Sequence, residues 1–254
     1  MLKSIEMDKN GSTLNKIKLS CTVLKVIACA LMLIDHFGYG VLHNYMVMHG
    51  MDISPEGYTT VNKVYTVCRG VGRLAFPIFA FFLVEGFFRT KNLRKYILRL
   101  AIFAIISEVP FDLGLYGKLL YLDHQNIMLT FLVALLMLAF VRFLGQNTLG
   151  LSKPVVYLAQ ICAVISFADA AYLMHLDYSW KCMLVVAVLY FANDAGPFRL
   201  LAGAAATCWE KYAPISFVLL YFYDPDKKPR FKYAFYIFYP AHLLIVYLIS
   251  RLII

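Results

Sequence analysis

Val26-Ile27-Ala28-Cys29-Ala30-Leu31-Met32-Leu33-Ile34-Asp35-His36-Phe37 is an apolar run into which two ionisable side chains are set side by side. An ionisable group inside hydrocarbon is costly, and a segment that keeps one marks a functional position. The pair has this meaning only if the surroundings are lipid.

The remainder of the chain supplies that context. Hydrophobic residues make up 61% of 254, charged residues 15%, and the mean hydropathy is +0.70. Such a balance belongs to a polytopic membrane protein, not a soluble domain. A span needs about 20 residues to cross ~30 Å of hydrocarbon. Runs of that kind lie near 19–42, 64–88, 96–115, 127–145 and 154–174, shorter ones near 179–193, 198–209 and 213–223, and a last one from about 233 to 254. The expected fold is an all-α bundle of about nine transmembrane helices; the alternative of eight takes 198–223 as one helix.

Charge placement separates the two counts, because loops on the cytoplasmic side collect Lys and Arg. With nine spans and the N-terminus inside, the basic groups Lys3 to Lys25, Arg89 to Arg99 and Lys227 to Lys232 fall on the cytoplasmic side. Only Lys63, Lys118, Lys181, Lys211 and Arg251 fall outside. With eight spans the loop 227–232 would face outward, and Pro214 also argues for a break within 198–223. The expected organisation is a cytoplasmic basic segment, 1–17, followed by one membrane domain, 18–254, in the cytoplasmic membrane. The net charge of +9 is sided, as topology signals and contacts with anionic lipid are, and no basic and aromatic module accompanies it. A nucleic-acid partner is therefore not expected. The six cysteines form no CxxC pair and read as small apolar fillers, so no metal is expected. The longest linker is expected at about 43–62, on the outer side.

Depth groups the intramembrane charges. At ~1.5 Å per residue, His36 lies ~27 Å above Lys18, Arg73 ~27 Å above Lys91, Asp112 ~27 Å above Arg94, and Asp169 ~24 Å above Lys153. Glu108 and Asp112 share a helix face with Pro110 between them, and Arg69 and Arg73 share another. The expected arrangement is a polar chamber in which these faces meet around His36. Arg73 neutralises one carboxylate and another orients the imidazole; a purely structural set of buried ion pairs is the competing reading. Glu85 sits near the cytoplasmic mouth, and His242 follows Pro240 near the midplane of the last helix, where proline frees a backbone carbonyl.

Several motifs carry a resemblance. Leu24-Lys25-Val26-Ile27-Ala28, Met32-Leu33-Ile34-Asp35-His36-Phe37-Gly38, Gly72-Arg73-Leu74-Ala75-Phe76-Pro77-Ile78-Phe79-Ala80-Phe81 and Val84-Glu85-Gly86-Phe87 resemble the TraX family. So do Arg94-Lys95-Tyr96, Ser107-Glu108-Val109-Pro110-Phe111-Asp112, Asn126-Ile127-Met128-Leu129-Thr130 and Tyr239-Pro240-Ala241-His242-Leu243-Leu244. This is a family of membrane proteins named for the enzyme that acetylates the N-terminus of F-pilin. The middle, about 142–223, matches in hydropathy alone.

The resemblance implies a membrane acyltransferase with acetyl-CoA as donor and an amine or hydroxyl acceptor: a peptide, a glycan or another small molecule. The residue chemistry accommodates the reaction. His36 is the expected general base. Asp35 lies ~100° round the helix from it, so Glu108 or Asp112 is the expected orienting carboxylate. Arg73 or the Asn126 amide meets the developing oxyanion. Arg89, Lys91, Arg94, Lys95 and Lys228 are candidates for the CoA phosphates, and Glu85 and His242 complete the expected cofactor-binding set. The donor would enter from the cytoplasmic side and the acceptor from the outer side. Two other classes fit intramembrane charges: a proton-coupled transporter or exporter, which the missing inverted repeat argues against, and a non-enzymatic assembly factor.

Overall fold

A computed structural model describes residues 18–148, 150–227 and 231–253, and these are all-α, with two isolated bridges and no sheet. The segment 1–17 and the residues Lys228 and Arg230 lie outside the described residues.

Helix α1, Cys21–Phe37, is capped by the Ser20 hydroxyl, which accepts from the Val23 backbone N–H at 3.2 Å. It continues without interruption through a π-helical segment, Gly38–His43, into α2, Asn44–His49. Helix α3, Pro55–Gly72, follows directly, with Ser54 as its cap and Pro55 in the first turn. The connector is thus residues 50–54, and the long outer linker expected at 43–62 is helical on both sides of it.

Helix α4, Ala75–Arg89, is set off from α3 at residues 73–74, although the sequence reads as a single span over 64–88. Pro77 accounts for this, because it has no N–H to donate to the Arg73 carbonyl and its ring crowds that oxygen. Helix α5, Leu93–Tyr116, begins at the Asn92 cap and ends at Gly117, whose φ of +66° turns the chain in a left-handed cap. Then come α6, Ile127–Gly145; α7, Lys153–Leu173; α8, Ser179–Phe191; α9, Phe198–Ala206; α10, Ser216–Tyr221; and α11, Lys232–Ile253.

Among the described residues, five helical stretches are long and apolar enough to cross a membrane: Cys21–His49, Pro55–Arg89, Ile127–Gly145, Lys153–Leu173 and Tyr233–Ile253. Helices α9 and α10 rise only ~14 Å and ~9 Å, less than half the hydrocarbon core. The stretch 198–223 is therefore neither one full span nor two, since the short 3-10 turn Ala213–Ile215 and its proline divide it.

The interior is formed by α4, α6 and α8, whose apolar faces are buried, while α5 and α11 pack along each other. The two ends of the bundle are tied differently. At one, Leu19 N–H donates to Phe222 O at 2.7 Å, Lys227 Nζ to Lys18 O at 2.8 Å and Arg89 Nη1 to Pro225 O at 2.8 Å. Of the basic residues expected to share a side, Lys18, Arg89 and Lys227 share this end. At the other, residues 125 and 175–177 are stitched together by Gln125 N–H to His175 O and Asp177 N–H to Gln125 O, both 3.1 Å.

Candidate functional site

Between these ends runs a cavity of about 680 Å3 whose wall includes Asp35 and His36 of α1, Arg69 and Arg73 of α3 and its cap, and Glu85 of α4. The π-helical segment begins two residues after His36. Such segments re-aim side chains and recur at functional sites. Gly40 passes against the Gly114 carbonyl and Gly114 against the Leu243 backbone, so the π-helical segment, α5 and α11 approach at backbone distance there.

That approach brings His242 to His36. Nδ1 of His36 and Nε2 of His242 are 2.7 Å apart with the rings 10° from parallel, and Nδ1 of His242 is 2.8 Å from the Phe238 carbonyl oxygen. A carbonyl oxygen can only accept, so in the neutral pair His242 carries its proton on Nδ1. Its Nε2 then accepts from the His36 Nδ1–H, and Nε2 of His36 keeps the lone pair. The hydrogen-bond network thus assigns the tautomer. Phe238 stacks on His242 at 4.6 Å, and Tyr239 meets His36 edge-on at 6.3 Å.

The expected orienting carboxylates are elsewhere. Glu108 accepts from the Asn126 amide, and Asp112 Oδ2 accepts from the Tyr121 backbone N–H at 2.8 Å. Both hold the turn between α5 and α6, and neither lines the cavity. Their four-residue spacing does put them on one face, but that face meets the following loop instead of α1. Asn126 caps α6 through Oδ1 and spends its amide hydrogens on Ala104 O, at 2.9 Å, and on Glu108. It has no donor left for an oxyanion.

Arg69, not Arg73, pairs with Asp35, at 2.7 Å, and the absence of a Cβ on Gly72 makes room for the Asp35 side chain. Arg73 faces Glu210 at 3.6 Å and donates to the Tyr178 hydroxyl at 3.4 Å. Asp169 is exposed and takes no part. At the opposite end of the cavity Glu85 accepts from Arg89 at 3.0 Å and from the buried Arg199 at 2.6 Å. Arg94 and Lys95 are exposed outside the cavity, which is instead lined by Lys25, Arg89 and Arg99.

One acidic residue of the cavity wall, Asp177, is not among those expected from the sequence. Asp177 sits in the short connector between α7 and α8, where His175, Tyr178 and Ser179 all have positive φ, 53°, 58° and 48°. Three such non-glycine residues in five store strain that a site tolerates when it needs a side chain aimed. One Asp177 oxygen accepts from the Tyr178 N–H at 3.0 Å. Burial holds its carboxyl up at about 6, against the pull of Arg73 and Arg69. In the sequence it looks like an ordinary polar connector; the dense run of non-glycine left-handed residues is a backbone signal only.

The family model described as TraX protein matches residues 20–250. Among curated proteins, the probable fimbrial assembly protein FimC, serogroup H1, of Dichelobacter nodosus is 28% identical over 200 residues, covering 72% of this chain and 82% of that protein. No solved structure matches.

Proposed function

The chain belongs to the TraX family, and we propose that it is an integral membrane acyltransferase, anchored with its N-terminus on the cytoplasmic side, that moves an acetyl group from acetyl-CoA to an amine or hydroxyl. The observation that carries this reading is the fixed tautomer of His36 on the wall of an elongated cavity. Acyl transfer needs a base that removes one proton from the acceptor as it attacks the thioester carbonyl, and Nε2 of His36 has the free lone pair for it. The new bond from acceptor to carbonyl carbon leaves a negative oxygen. The guanidinium groups of Arg69 and Arg73, which line the same cavity, are the donors proposed to meet it. Collapse breaks the carbon–sulfur bond, and the proton held on Nε2 passes to the departing thiolate, so His36 returns to its starting state.

His242 is a positioning residue in this scheme: it holds the Nδ1 proton of His36 and, through it, the tautomer. Asp35, Glu108 and Asp112 serve geometry instead, the first by fixing Arg69 and the other two by fixing the turn before α6. The end of the cavity near Lys25, Arg89 and Arg99 is proposed as the cytoplasmic donor entrance, and the end near Asp177 as the acceptor side. The name of the Dichelobacter relative refers to fimbrial assembly, which supports a fimbrial subunit as the acceptor to try first.

The test is transfer of labelled acetyl from acetyl-CoA by purified protein in detergent, with membrane extract or fimbrial subunits as acceptor. Label is expected on an amine or hydroxyl of the acceptor and to be lost in His36→Ala. Full transfer by His36→Ala would remove the assigned base. Absence of both transfer and CoA binding would remove the enzyme reading in favour of an assembly factor.

A further inference from the structure

Among the described residues, two cations that line the cavity have no acid at ion-pair distance. Lys25 Nζ lies 5.3 Å from the ring centroid of Phe82 and 5.7 Å from that of Phe235. The Arg99 guanidinium lies 5.9 Å from the Tyr96 ring and hydrogen-bonds the phenol of Tyr236, the residue after Phe235, while its Nε is buried without a hydrogen-bond partner. Both line the cavity, and among the described residues neither forms a salt bridge. The nearby carboxylate, Glu85, is already shared by Arg89 and Arg199. Contact with aromatic faces does not neutralise a cation. Lys25 and Arg99 thus meet consecutive residues of α11 at one part of the cavity wall; partly buried cations without counter-charge are expensive, and an anion is what relieves them.

The distance to the reacting group narrows the anion. Lys25 and His36 are on the same helix, eleven residues apart, so their backbones are separated by ~16 Å along its axis. An acyl phosphate carries phosphorus next to the carbonyl, and a phospholipid ester carries it only a few bonds away; neither reaches from one residue to the other. A phosphopantetheine thioester does, because its phosphate and its sulfur stand at opposite ends of a long flexible arm. The wall between the two points is mostly apolar, with Met32, Phe79, Leu83, Met128 and Phe131, which suits an arm that carries a dimethyl-substituted carbon and only two amides.

We propose that Lys25 and Arg99 hold the phosphate of a phosphopantetheine thioester whose arm runs beside α1 and places the thioester carbonyl at His36. The proposal rests on the acyl-transfer reading above. It also reassigns the anion contacts from the exposed Arg94 and Lys95 to two residues whose positions look, in sequence, like ordinary topology signals.

Titration calorimetry on the full chain in detergent tests it without any acceptor. The ligands are CoA, 4′-phosphopantetheine, pantetheine and a holo acyl carrier protein, and the proteins are the parent, Lys25→Gln, Arg99→Gln and Lys25→Arg. Phosphopantetheine is expected to bind the parent at least tenfold more tightly than pantetheine. That advantage should vanish in the two Gln variants and return in Lys25→Arg, while pantetheine binds all four alike, which also reports that the variants are folded. Tight binding of free CoA with none of the carrier protein identifies a soluble nucleotide as the source of the arm, and the reverse identifies the carrier; either supports the phosphate site when the Gln variants lose it. If the variants bind CoA and phosphopantetheine as tightly as the parent does, the phosphate site is overturned and the acyltransferase reading stands. If the parent binds none of the four ligands, both fall.

Discussion

Replacing His242 separates a histidine that positions the base from one that fills space. His242→Phe keeps an aromatic ring against Phe238 and Tyr239 but removes the acceptor of the His36 Nδ1–H, which lies 2.7 Å from Nε2 in the parent. A buried donor left without a partner costs about 1–3 kcal/mol. His36 escapes that cost by moving its proton to the other nitrogen, and the nitrogen needed for catalysis is then occupied. Loss of a correctly poised general base is worth about 10²–10⁴ in rate. The expected result is a fall of about 10²-fold in kcat for acyl transfer with little change in the KM for acetyl-CoA. His242→Gln supplies both functions, an amide oxygen to accept from His36 and an amide hydrogen for the Phe238 carbonyl. It should stay within about tenfold of the parent, or roughly 1.4 kcal/mol. The assay is transfer of labelled acetyl under single-turnover conditions in detergent, with His36→Ala as the floor. Nitrogen chemical shifts of labelled histidine would report the tautomer of His36 directly. Parent-like turnover by His242→Phe, or equal losses in the Phe and Gln variants, would refute the tautomer argument.

Asp177→Asn is expected to stabilise the fold while impairing transfer. A carboxyl held at about 6, against an ordinary 3.8, favours folding when protonated, so its contribution is fully present below pH 3.8 and is lost as the pH rises through about 6. At pH 8 the ionised group therefore costs the fold up to about 3 kcal/mol, and thermal unfolding in detergent should show the Asn variant gaining on the parent between pH 5 and pH 8. A constant difference over that range would contradict the assignment. Arg69→Met and Asp35→Leu should each destabilise by on the order of 3 kcal/mol, since each leaves a partly buried charge alone. The double variant should be more stable than either, and additive losses in a double-mutant cycle would show that the pair is not coupled. Asn126→Leu removes the α6 cap and the partner of Glu108. A loss of at least about 1 kcal/mol in unfolding measurements is expected, with binding of CoA retained in the folded fraction; loss of CoA affinity without loss of stability would instead return Asn126 to the donor site.

Much of the site was legible because lipid makes charge conspicuous. Asp35 and His36 interrupt an apolar run, and Arg69 and Arg73 stand one turn apart, so their presence in one chamber follows from depth alone. Partner choice was not legible. Glu108 and Asp112 share a face by spacing, but spacing cannot tell which neighbour a face meets, and it met its own following turn. His242 lies 206 residues from His36, and only the close passage of Gly40, Gly114 and the Leu243 backbone brings the two together. Lys25 and Arg99 were hidden by the positive-inside pattern, which explains any basic residue near a span end and so conceals the two that turn inward. Hydropathy does not show how short the helices over 198–223 are. Hydropathy sees apolar composition over 198–223, whereas Pro214 and the turn around it leave half-span pieces packed against α4 and α8.

The hydrogen-bond chain from His36 also bears on the choice between the proposed enzyme and a proton-coupled transporter. A transporter that moves protons through His36 needs titratable groups or water continuing on both sides of the ring, so that a proton arriving at one nitrogen leaves from the other. From Nδ1 the chain passes to His242 and stops at the Phe238 carbonyl, which can take a hydrogen bond but neither keeps nor gives up a proton at neutral pH. Protons therefore have one open face on His36, the Nε2 side, and whatever enters there must leave there. Among the described residues, a relay closed in this way supports the proposed acyl transfer over proton conduction. It suits a base that borrows a proton from an attacking acceptor and returns it to a leaving thiolate in the same cavity.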